Sequence, residues 1–192
     1  MRRLMAAVLV LGALALGGFL VVRAEQPGWW VRLWYPLDYA PVVSGNARLY
    51  HLDPALVAAV IYEESQFDPK ARSGAGAVGL MQLLPDTARG IALHTGGTKF
   101  DPATDLLDPD LNVRYGCWYI NHLRQKYARY PNGPELALAA YNAGQTNVDS
   151  WIAAAPAGQP VEIRFAETRD YVADVERLEK LYRRAYGDQL GG

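Results

Sequence analysis

The chain of 192 residues has one cysteine and three histidines, and this scarcity excludes several kinds of site. Cys117 has no second thiol with which to form a disulfide, and its apolar and aromatic neighbours predict a buried core thiol rather than a nucleophile. The histidines, His51, His94 and His122, lie far apart and lack the spacing of metal ligands. We therefore expect neither a metal ion nor a cofactor.

Three further absences narrow the function. The glycine-rich stretch over residues 73–79 is not followed by the Lys-Ser or Lys-Thr pair of a phosphate-binding loop, and no G-x-S-x-G pattern of a serine hydrolase occurs. Basic residues are not in excess: residues 24–192 carry 16 basic and 20 acidic side chains, since three of the 19 basic residues precede position 24. A nucleic-acid partner is not expected, because such proteins usually present a basic face.

The N-terminus carries the longest apolar run. Residues 4–22 contain no charge and follow Arg2 and Arg3. This length is typical of a membrane span and long for the apolar part of a signal peptide. We expect an uncleaved signal-anchor over residues 1–23, with the N-terminus in the cytoplasm and the remainder on the extracytoplasmic side. Cleavage near Ala24, which would release a secreted protein, is the alternative. No cysteine stands directly after this apolar run, which argues against a lipid anchor.

Residues 24–36 form an aromatic linker that includes Trp29, Trp30 and Trp34, with Tyr35 close behind. Amphipathic rings at this place suit the interface between a membrane and water. The alternative is a strap that packs on the folded domain, and the sequence favours neither.

Residues 37–192 predict a mainly α domain. About half of the chain is hydrophobic, as in globular proteins, and no stretch alternates as a strand would. The breaker residues and apolar periodicity predict about six or seven helices. The segments are a short helix between Tyr39 and Leu52, one from Pro54 that stops by Asp68-Pro69, one from Pro85, the longest over 109–130, one over 134–142 and one over 167–186.

The helix from Pro54 carries the most informative carboxylate. Val57, Val60, Ile61 and Glu64 share one face, since their spacing is i, i+3, i+4 and i+7. Glu63 lies about 100° further round. A carboxylate on an apolar face is desolvated, which raises its pKa and suits a general acid; a paired or snorkelling Glu at a helix end is the alternative.

Four short motifs follow one another in the chain: Glu64-Ser65, Gly79–Gln82, Ala140–Gly144 and Glu167–Val172. Together they resemble the motifs of the soluble-type (SLT) lytic transglycosylases, whose catalytic domain is similar to goose-type lysozyme. The resemblance covers residues 37–186 and implies a compact lysozyme-like helical fold.

The resemblance also implies a substrate and a reaction. These enzymes cut the β-1,4 bond between N-acetylmuramic acid and N-acetylglucosamine in peptidoglycan without hydrolysis. Carried over to this sequence, Glu64 protonates the leaving oxygen and then removes the proton of the muramoyl C6 hydroxyl, which closes a 1,6-anhydro ring. The absence of a second marked carboxylate agrees with this, since substrate groups replace the water and the nucleophile.

The same resemblance suggests seven residues for substrate binding. Tyr141 is expected to bond Glu64 or the sugar, and Met81 and Gln82 to line the saccharide cleft. A core position is the alternative for Tyr141. Ser65 is expected either to make a helix-end bond or to contact the substrate, and Asn142 to fix a backbone turn rather than to touch sugar. Glu167 and Tyr171 are expected to bring the last helix to the cleft, with an Arg partner as the alternative for Glu167. The seven are Ser65, Met81, Gln82, Tyr141, Asn142, Glu167 and Tyr171.

Two other functions remain open at this point. One is a hydrolytic muramidase of lysozyme type that admits water, and the other is a non-catalytic peptidoglycan-binding scaffold on the same fold. In each case the expected partners are glycan strands and, through the N-terminal helix, a membrane. Cell-wall assembly or secretion machinery is a further possible partner, and we expect a monomer.

Overall fold

The computed structural model describes residues 2–96 and 99–191, and at positions 2–4, 6–8, 10 and 13 it describes the backbone alone. Gly97, in a predicted loop, lies outside these ranges. The described residues form ten helices, with isolated bridges pairing Val78 with Arg72 and with Leu83, so the mainly α fold is confirmed. The helices are α1 (Arg2–Glu25), α2 (Gly28–Trp34), α3 (Ala40–Leu49), α4 (Pro54–Ser65), α5 (Pro85–Thr95), α6 (Pro102–Asp105), α7 (Pro109–Tyr127), α8 (Gly133–Ala143), α9 (Gln145–Ala153) and α10 (Ala166–Leu190).

The expected number of helices was too low, since eight of the ten begin after residue 36. The four-residue helix α6 lies in a predicted loop, where the Asp101 side chain accepts a hydrogen bond from the backbone of Ala103. Helix α9 follows α8 after Gly144 alone, whose φ of 87° and ψ of 147° break the helical path. In the domain α10, with 25 residues, is longer than α7, with 19, which was expected to be the longest.

The predicted membrane span over residues 4–22 is not supported. A helix does form there, as α1. Within residues 2–96 and 99–191, however, no helix is both long and apolar enough to cross a membrane.

The predicted start of α4 is confirmed, and its end comes earlier than expected. Asp53 accepts a hydrogen bond from the backbone of Ala55 at 2.7 Å, and Pro54 occupies the first turn, where it sacrifices no helical bond. The helix ends at Ser65, before Asp68-Pro69, because Gln66 and Phe67 adopt positive φ values of 51° and 65°. Phe67 is buried, so this sharp turn returns its ring to the core.

The core consists of two clusters of buried side chains. The larger one surrounds α4, which packs on α10 and α3, and it includes Val31 and Leu190, which lie far apart in the chain. The smaller one lies under α5 and α6. Tyr119 and Tyr141 pack against both clusters and so mark the seam between them. The apolar spacing within α7 predicts a core-facing stripe, and the structure confirms it, because all six members are buried: Val113, Gly116, Cys117, Ile120, Leu123 and Tyr127.

Helix α2 packs on the domain, as the strap alternative predicted. Val31 is completely buried, and Arg32 donates to the backbone carbonyl of Ala185 on α10 at 2.7 Å. Two of the tryptophans remain open to solvent, with Trp29 61% and Trp34 56% exposed. The aromatic linker is therefore attached to the domain on one side and exposes large rings on the other.

Candidate active site

Glu64 lies in the last turn of α4, half-buried beside α10. Tyr171 of α10 donates a hydrogen bond from its hydroxyl to Glu64 Oε1 at 2.8 Å. Burial raises the pKa of Glu64 from its ordinary 4.5 to about 7; the bond from Tyr171 opposes this rise and the neighbouring charge of Glu63 adds to it. Glu63 itself is exposed. The apolar stripe of α4 therefore distinguished the desolvated carboxylate from its neighbour, as expected.

The loop over residues 71–83 is fixed next to Glu64 by Asn112, a completely buried residue of α7. Its side-chain oxygen accepts from the backbone N–H of Met81 at 2.8 Å, and its nitrogen donates to the carbonyls of Val78 and Leu106, each at 2.9 Å. Gly79 has φ 83°, and a Cβ there would overlap Asn112 and Leu106. Only glycine therefore fits at this point of the loop.

Met81 does not line the saccharide cleft as predicted. Its side chain is completely buried and fills the space that the missing Cβ of Gly116 leaves on α7. A glycine within a helix predicts close packing of a second helix, but at Gly116 the group that approaches is this loop side chain. Met81 takes part in the site through its backbone, whose carbonyl accepts a hydrogen bond from Tyr141 at 2.7 Å.

The tyrosine that bonds the carboxylate is Tyr171, and the expectation for Tyr141 is corrected accordingly. The hydroxyl of Tyr141 is directed to the loop, because it donates to Met81. Burial, followed by the charge of Glu64, raises the pKa of Tyr141 well above its usual value, so this hydroxyl remains protonated. Tyr141 therefore ties α8 to the loop beside the carboxylate.

Ser65 and Gln82 hold local structure. The single proton of the Ser65 hydroxyl is shared between two carbonyls, that of Leu80 at 2.8 Å and that of Ile61 at 3.1 Å, so Ser65 contacts both the loop and the end of the helix. The side-chain nitrogen of Gln82 donates to the carbonyls of Ala71 and Gly79 at 3.1 and 3.0 Å. Gln82 is half-buried. Together with Tyr119 and Tyr141 it lines a cavity of about 170 Å³.

The carboxylate of Glu64 opens into a larger cavity of about 520 Å³. Its walls come from the end of α4, the end of α8 and the start of α10. Five of the seven lining side chains are acidic, and the other two are polar. The lining residues are Glu63, Glu64, Asn142, Glu167, Asp170, Tyr171 and Asp174.

Sequence reasoning missed Asp170 and Asp174. Together with Glu167 and Tyr171 they follow the spacing i, i+3, i+4 and i+7 along α10, so all four face one direction. This acidic stripe beside the predicted Tyr171 was the available signal. Glu167 is exposed, and the described residues contain no ion pair that joins it to an arginine.

Asn142 joins the two cavities, because it lines both. Its side-chain oxygen accepts a hydrogen bond from the hydroxyl of Thr168 at 2.8 Å, and Thr168 is buried at the start of α10. This contact, which sequence reasoning also missed, connects α8 to α10 across the cleft. Over residues 2–96 and 99–191, no three His, Cys, Asp or Glu side chains are grouped as metal ligands would be.

This geometry consists of one desolvated carboxylate, a donor tyrosine and a glycine-rich loop fixed by a buried amide. The sequence model of the transglycosylase SLT domain matches residues 42–162, which is more than half of the chain. The chain belongs to this family.

Individual relatives agree with the family match. A putative soluble lytic murein transglycosylase of Haemophilus influenzae is 31% identical over 175 residues, which cover 88% of this chain and 28% of the relative. A membrane-bound lytic murein transglycosylase C of Actinobacillus succinogenes is 30% identical and covers 76% of this chain and 47% of its own. The chain thus spans less than half the length of either relative, and about a quarter of the first.

A solved structure shows the same fold. The lytic transglycosylase Slt of Pseudomonas aeruginosa, solved as an inactive Glu-to-Gln mutant, superimposes with a TM-score of 0.71 at 29% identity. The similar region covers 83% of this chain and 26% of that one. The SLT domain of this chain is therefore the part that these larger proteins share with it.

Proposed function

We propose that this SLT-family chain is a lytic transglycosylase that cleaves the β-1,4 bond between N-acetylmuramic acid and N-acetylglucosamine in peptidoglycan. The observation that carries the proposal is the carboxyl group of Glu64, whose pKa of about 7 lets it hold a proton near neutral pH. An acid in this range can donate a proton and then accept one within the same turnover. The names of the relatives and their shared fold support the same reaction.

The reaction needs one residue for both proton transfers. Glu64 donates its proton to the glycosidic oxygen, the bond from that oxygen to C1 of the muramoyl unit breaks, and the glucosamine unit leaves as an alcohol. The substrate's own N-acetyl group stabilises the positive charge at C1. The Glu64 carboxylate then takes the proton of the C6 hydroxyl, whose oxygen bonds to C1 and closes the 1,6-anhydro ring. No water is consumed, and Glu64 ends protonated.

Tyr171 assists both half-reactions through its hydroxyl. Its bond to Glu64 Oε1 stabilises the carboxylate that forms when the proton leaves. It also leaves the second carboxylate oxygen available for the substrate. Gln82, Asn142 and Glu167 border the two cavities and supply polar contacts to the sugars, whereas Ser65, Met81 and Tyr141 hold the loop in place.

The decisive experiment is mass spectrometry of the products released from purified peptidoglycan. The expected products lack one water relative to ordinary reducing ends, and the Glu64→Gln variant releases none. Products of ordinary mass would instead identify a hydrolytic muramidase. Binding to peptidoglycan without release of products by the wild type would identify a scaffold. Glu63→Gln is the matched control, since it changes the adjacent carboxylate and is expected to retain activity.

Membrane attachment through residues 1–23 is a separate part of the proposal, with residues 37–192 as the catalytic unit on the extracytoplasmic side. Apolar side chains such as Leu11, Leu14 and Phe19 are exposed along α1, which favours burial in lipid. A relative named as membrane-bound agrees with this. We expect the protein in the membrane fraction after an alkaline carbonate wash and in solution only after detergent. Release by carbonate alone would contradict the attachment.

A further inference from the structure

The N-terminal strap, defined as residues 27–39, is held by the C-terminal half of α10. Tyr186 donates to the carbonyl of Tyr35 at 3.0 Å, and Tyr182 donates to the carbonyl of Pro36 at 3.0 Å. These bonds involve the strap backbone, so they fix its path whatever its side chains are. The strap precedes residue 42, where the match to the SLT family begins, and the family match therefore assigns it no role.

One chain of contacts leads from the strap to the wall of the large cavity through Arg177. The Arg177 guanidinium lies over the ring of Tyr35, 5.8 Å from its centroid, and donates to the Tyr35 hydroxyl at 3.4 Å. The same guanidinium bonds Asp174 at 2.9 and 3.2 Å. Asp174 lines the cavity that contains Glu64. Tyr35 thus contacts the cation that is bonded to this wall.

A second chain of contacts reaches the end of α4 through Tyr62. The Tyr62 hydroxyl donates to the carbonyl of Trp34 at 3.2 Å, and its ring lies 5.2 Å from the ring of Tyr35 and 6.3 Å from that of Tyr182. Glu63 and Glu64 follow directly in the chain. The strap therefore contacts both helices whose side chains meet in the bond from Tyr171 to Glu64.

We infer that the strap is part of the catalytic unit, and that Tyr35 and Arg177 are positioning residues that hold the end of α4 against α10. This inference rests on the proposed function, because it assigns a role in the same reaction. Positioning matters here since a displacement of about 1 Å at a reacting group can reduce a rate as much as 100-fold. The strap also joins α1 to the domain, so the attachment of the chain and the geometry of its active site share one element.

The chain offers a matched control for a purely structural role. Arg129 lies over the ring of Tyr130, 5.0 Å from its centroid, and donates to the Tyr130 hydroxyl at 2.8 Å. In both pairs the tyrosine is half-buried and the arginine is exposed. Neither Arg129 nor Tyr130 lines either cavity of the site. Tyr130→Ala and Tyr35→Ala therefore remove the same kind of contact at different distances from Glu64.

The test compares kcat, KM and thermal unfolding of the full chain and its variants on purified peptidoglycan. We expect Tyr35→Ala to lower kcat about tenfold with KM changed less than about twofold, and Tyr35→Phe, which keeps the ring, to retain at least about half of kcat. Arg177→Gln, which leaves the backbone bonds of the strap intact, is expected to lower kcat at least about threefold. Tyr130→Ala is expected to match the wild-type kcat.

Hydrogen exchange supplies a readout that does not depend on activity. The amides of residues 62–66, which comprise the last turn of α4 and the residue after it, are expected to exchange faster in Tyr35→Ala and at the wild-type rate in Tyr130→Ala. The inference is overturned if Tyr35→Ala and Tyr130→Ala have equal kcat and equal exchange rates. If Tyr35→Ala does not fold, the inference is overturned when Arg177→Gln has the wild-type kcat. A wild type that releases no product refutes the proposed function instead, and the exchange comparison then decides the structural part alone.

Discussion

Replacing Glu64 with glutamine should stabilise the fold, and the gain should appear only at higher pH. The pKa of Glu64 rises from 4.5 to about 7 in the folded protein, so the folded chain binds this proton more tightly than the unfolded chain. The proton therefore stabilises the fold fully below pH 4.5, and that stability is lost as the pH rises through about 7. Glutamine keeps the neutral state at every pH.

The size of the effect follows from the same shift. Each unit of pKa difference corresponds to about 1.4 kcal/mol, which gives an upper limit of about 3 kcal/mol for Glu64. Because water reaches part of the side chain, we expect about 2 kcal/mol, or about 5 °C in Tm for a protein of this size. Glu64→Gln should therefore unfold at the wild-type Tm at pH 4 and about 5 °C above it at pH 8.

Thermal unfolding at a series of pH values between 4 and 8 checks this prediction without any activity assay. Glu63→Gln is the control, since Glu63 is exposed and its substitution should change the pH dependence less. A difference between wild type and Glu64→Gln that is equal at pH 4 and pH 8 would refute the argument. Glu64 would then be as well solvated in the folded protein as in the unfolded chain.

Three further substitutions test the surroundings of Glu64. Tyr171→Phe removes the donor that stabilises the carboxylate, so the pKa of Glu64 should rise. The alkaline limb of the pH profile of kcat/KM should therefore move up by about half to one pH unit. An unmoved limb would show that the bond does not act on Glu64. Asn112→Leu leaves the backbone N–H of Met81 and the carbonyl of Leu106 without partners and removes one of the two bonds to the carbonyl of Val78. It should lower the free energy of unfolding by about 3 kcal/mol or more in denaturant titrations, and a loss below about 1 kcal/mol would count against this reasoning. Gly79→Ala should destabilise more than Gly76→Ala in the same titrations, because both have φ near 85° but only Gly79 lacks room for a Cβ.

The sequence was most informative where a local rule acts alone. The Asp-Pro pairs at the starts of α4 and α7 each provide a side-chain acceptor and a residue that needs no hydrogen bond, and both helices begin there. The apolar period of α4 likewise distinguished Glu64 from Glu63, since the direction of a side chain around a helix depends only on spacing. Neither inference required knowledge of which helices pack together.

It was least informative where the partner lies far along the chain. The bond between Tyr171 and Glu64 joins residues 107 positions apart, and Tyr141 was an equally reasonable partner in the sequence. Which tyrosine reaches the carboxylate depends on how α8 and α10 pack against the rest of the domain, and no local pattern determines that. Met81 was misplaced for the same reason, because its burial depends on the gap at Gly116 on another helix.

Short helices and surface segments were the remaining difficulty. Helix α6 has four residues, too few for an apolar period to show, and α9 is separated from α8 by Gly144 alone. For the aromatic linker, the rings of Trp29 and Trp34 are exposed while Val31 between them is buried, so composition alone suited both a membrane interface and a packed strap. Its attachment to α10 depends on tyrosines near the other end of the chain.

The surroundings of Glu64 leave much of the cost of desolvating its carboxylate without compensation. Among the described residues, every buried side-chain nitrogen and oxygen has a hydrogen-bond partner, including those of Asn112 that hold the loop. The carboxylate receives one bond, from Tyr171, and a pKa of about 7 shows that this bond offsets only part of the cost of burial. A carboxyl group with a pKa near neutral pH can donate a proton and accept one with only a small free-energy change in either direction. A single residue that acts first as an acid and then as a base requires this property. The destabilisation expected above pH 7 and the proposed chemistry therefore have the same physical cause.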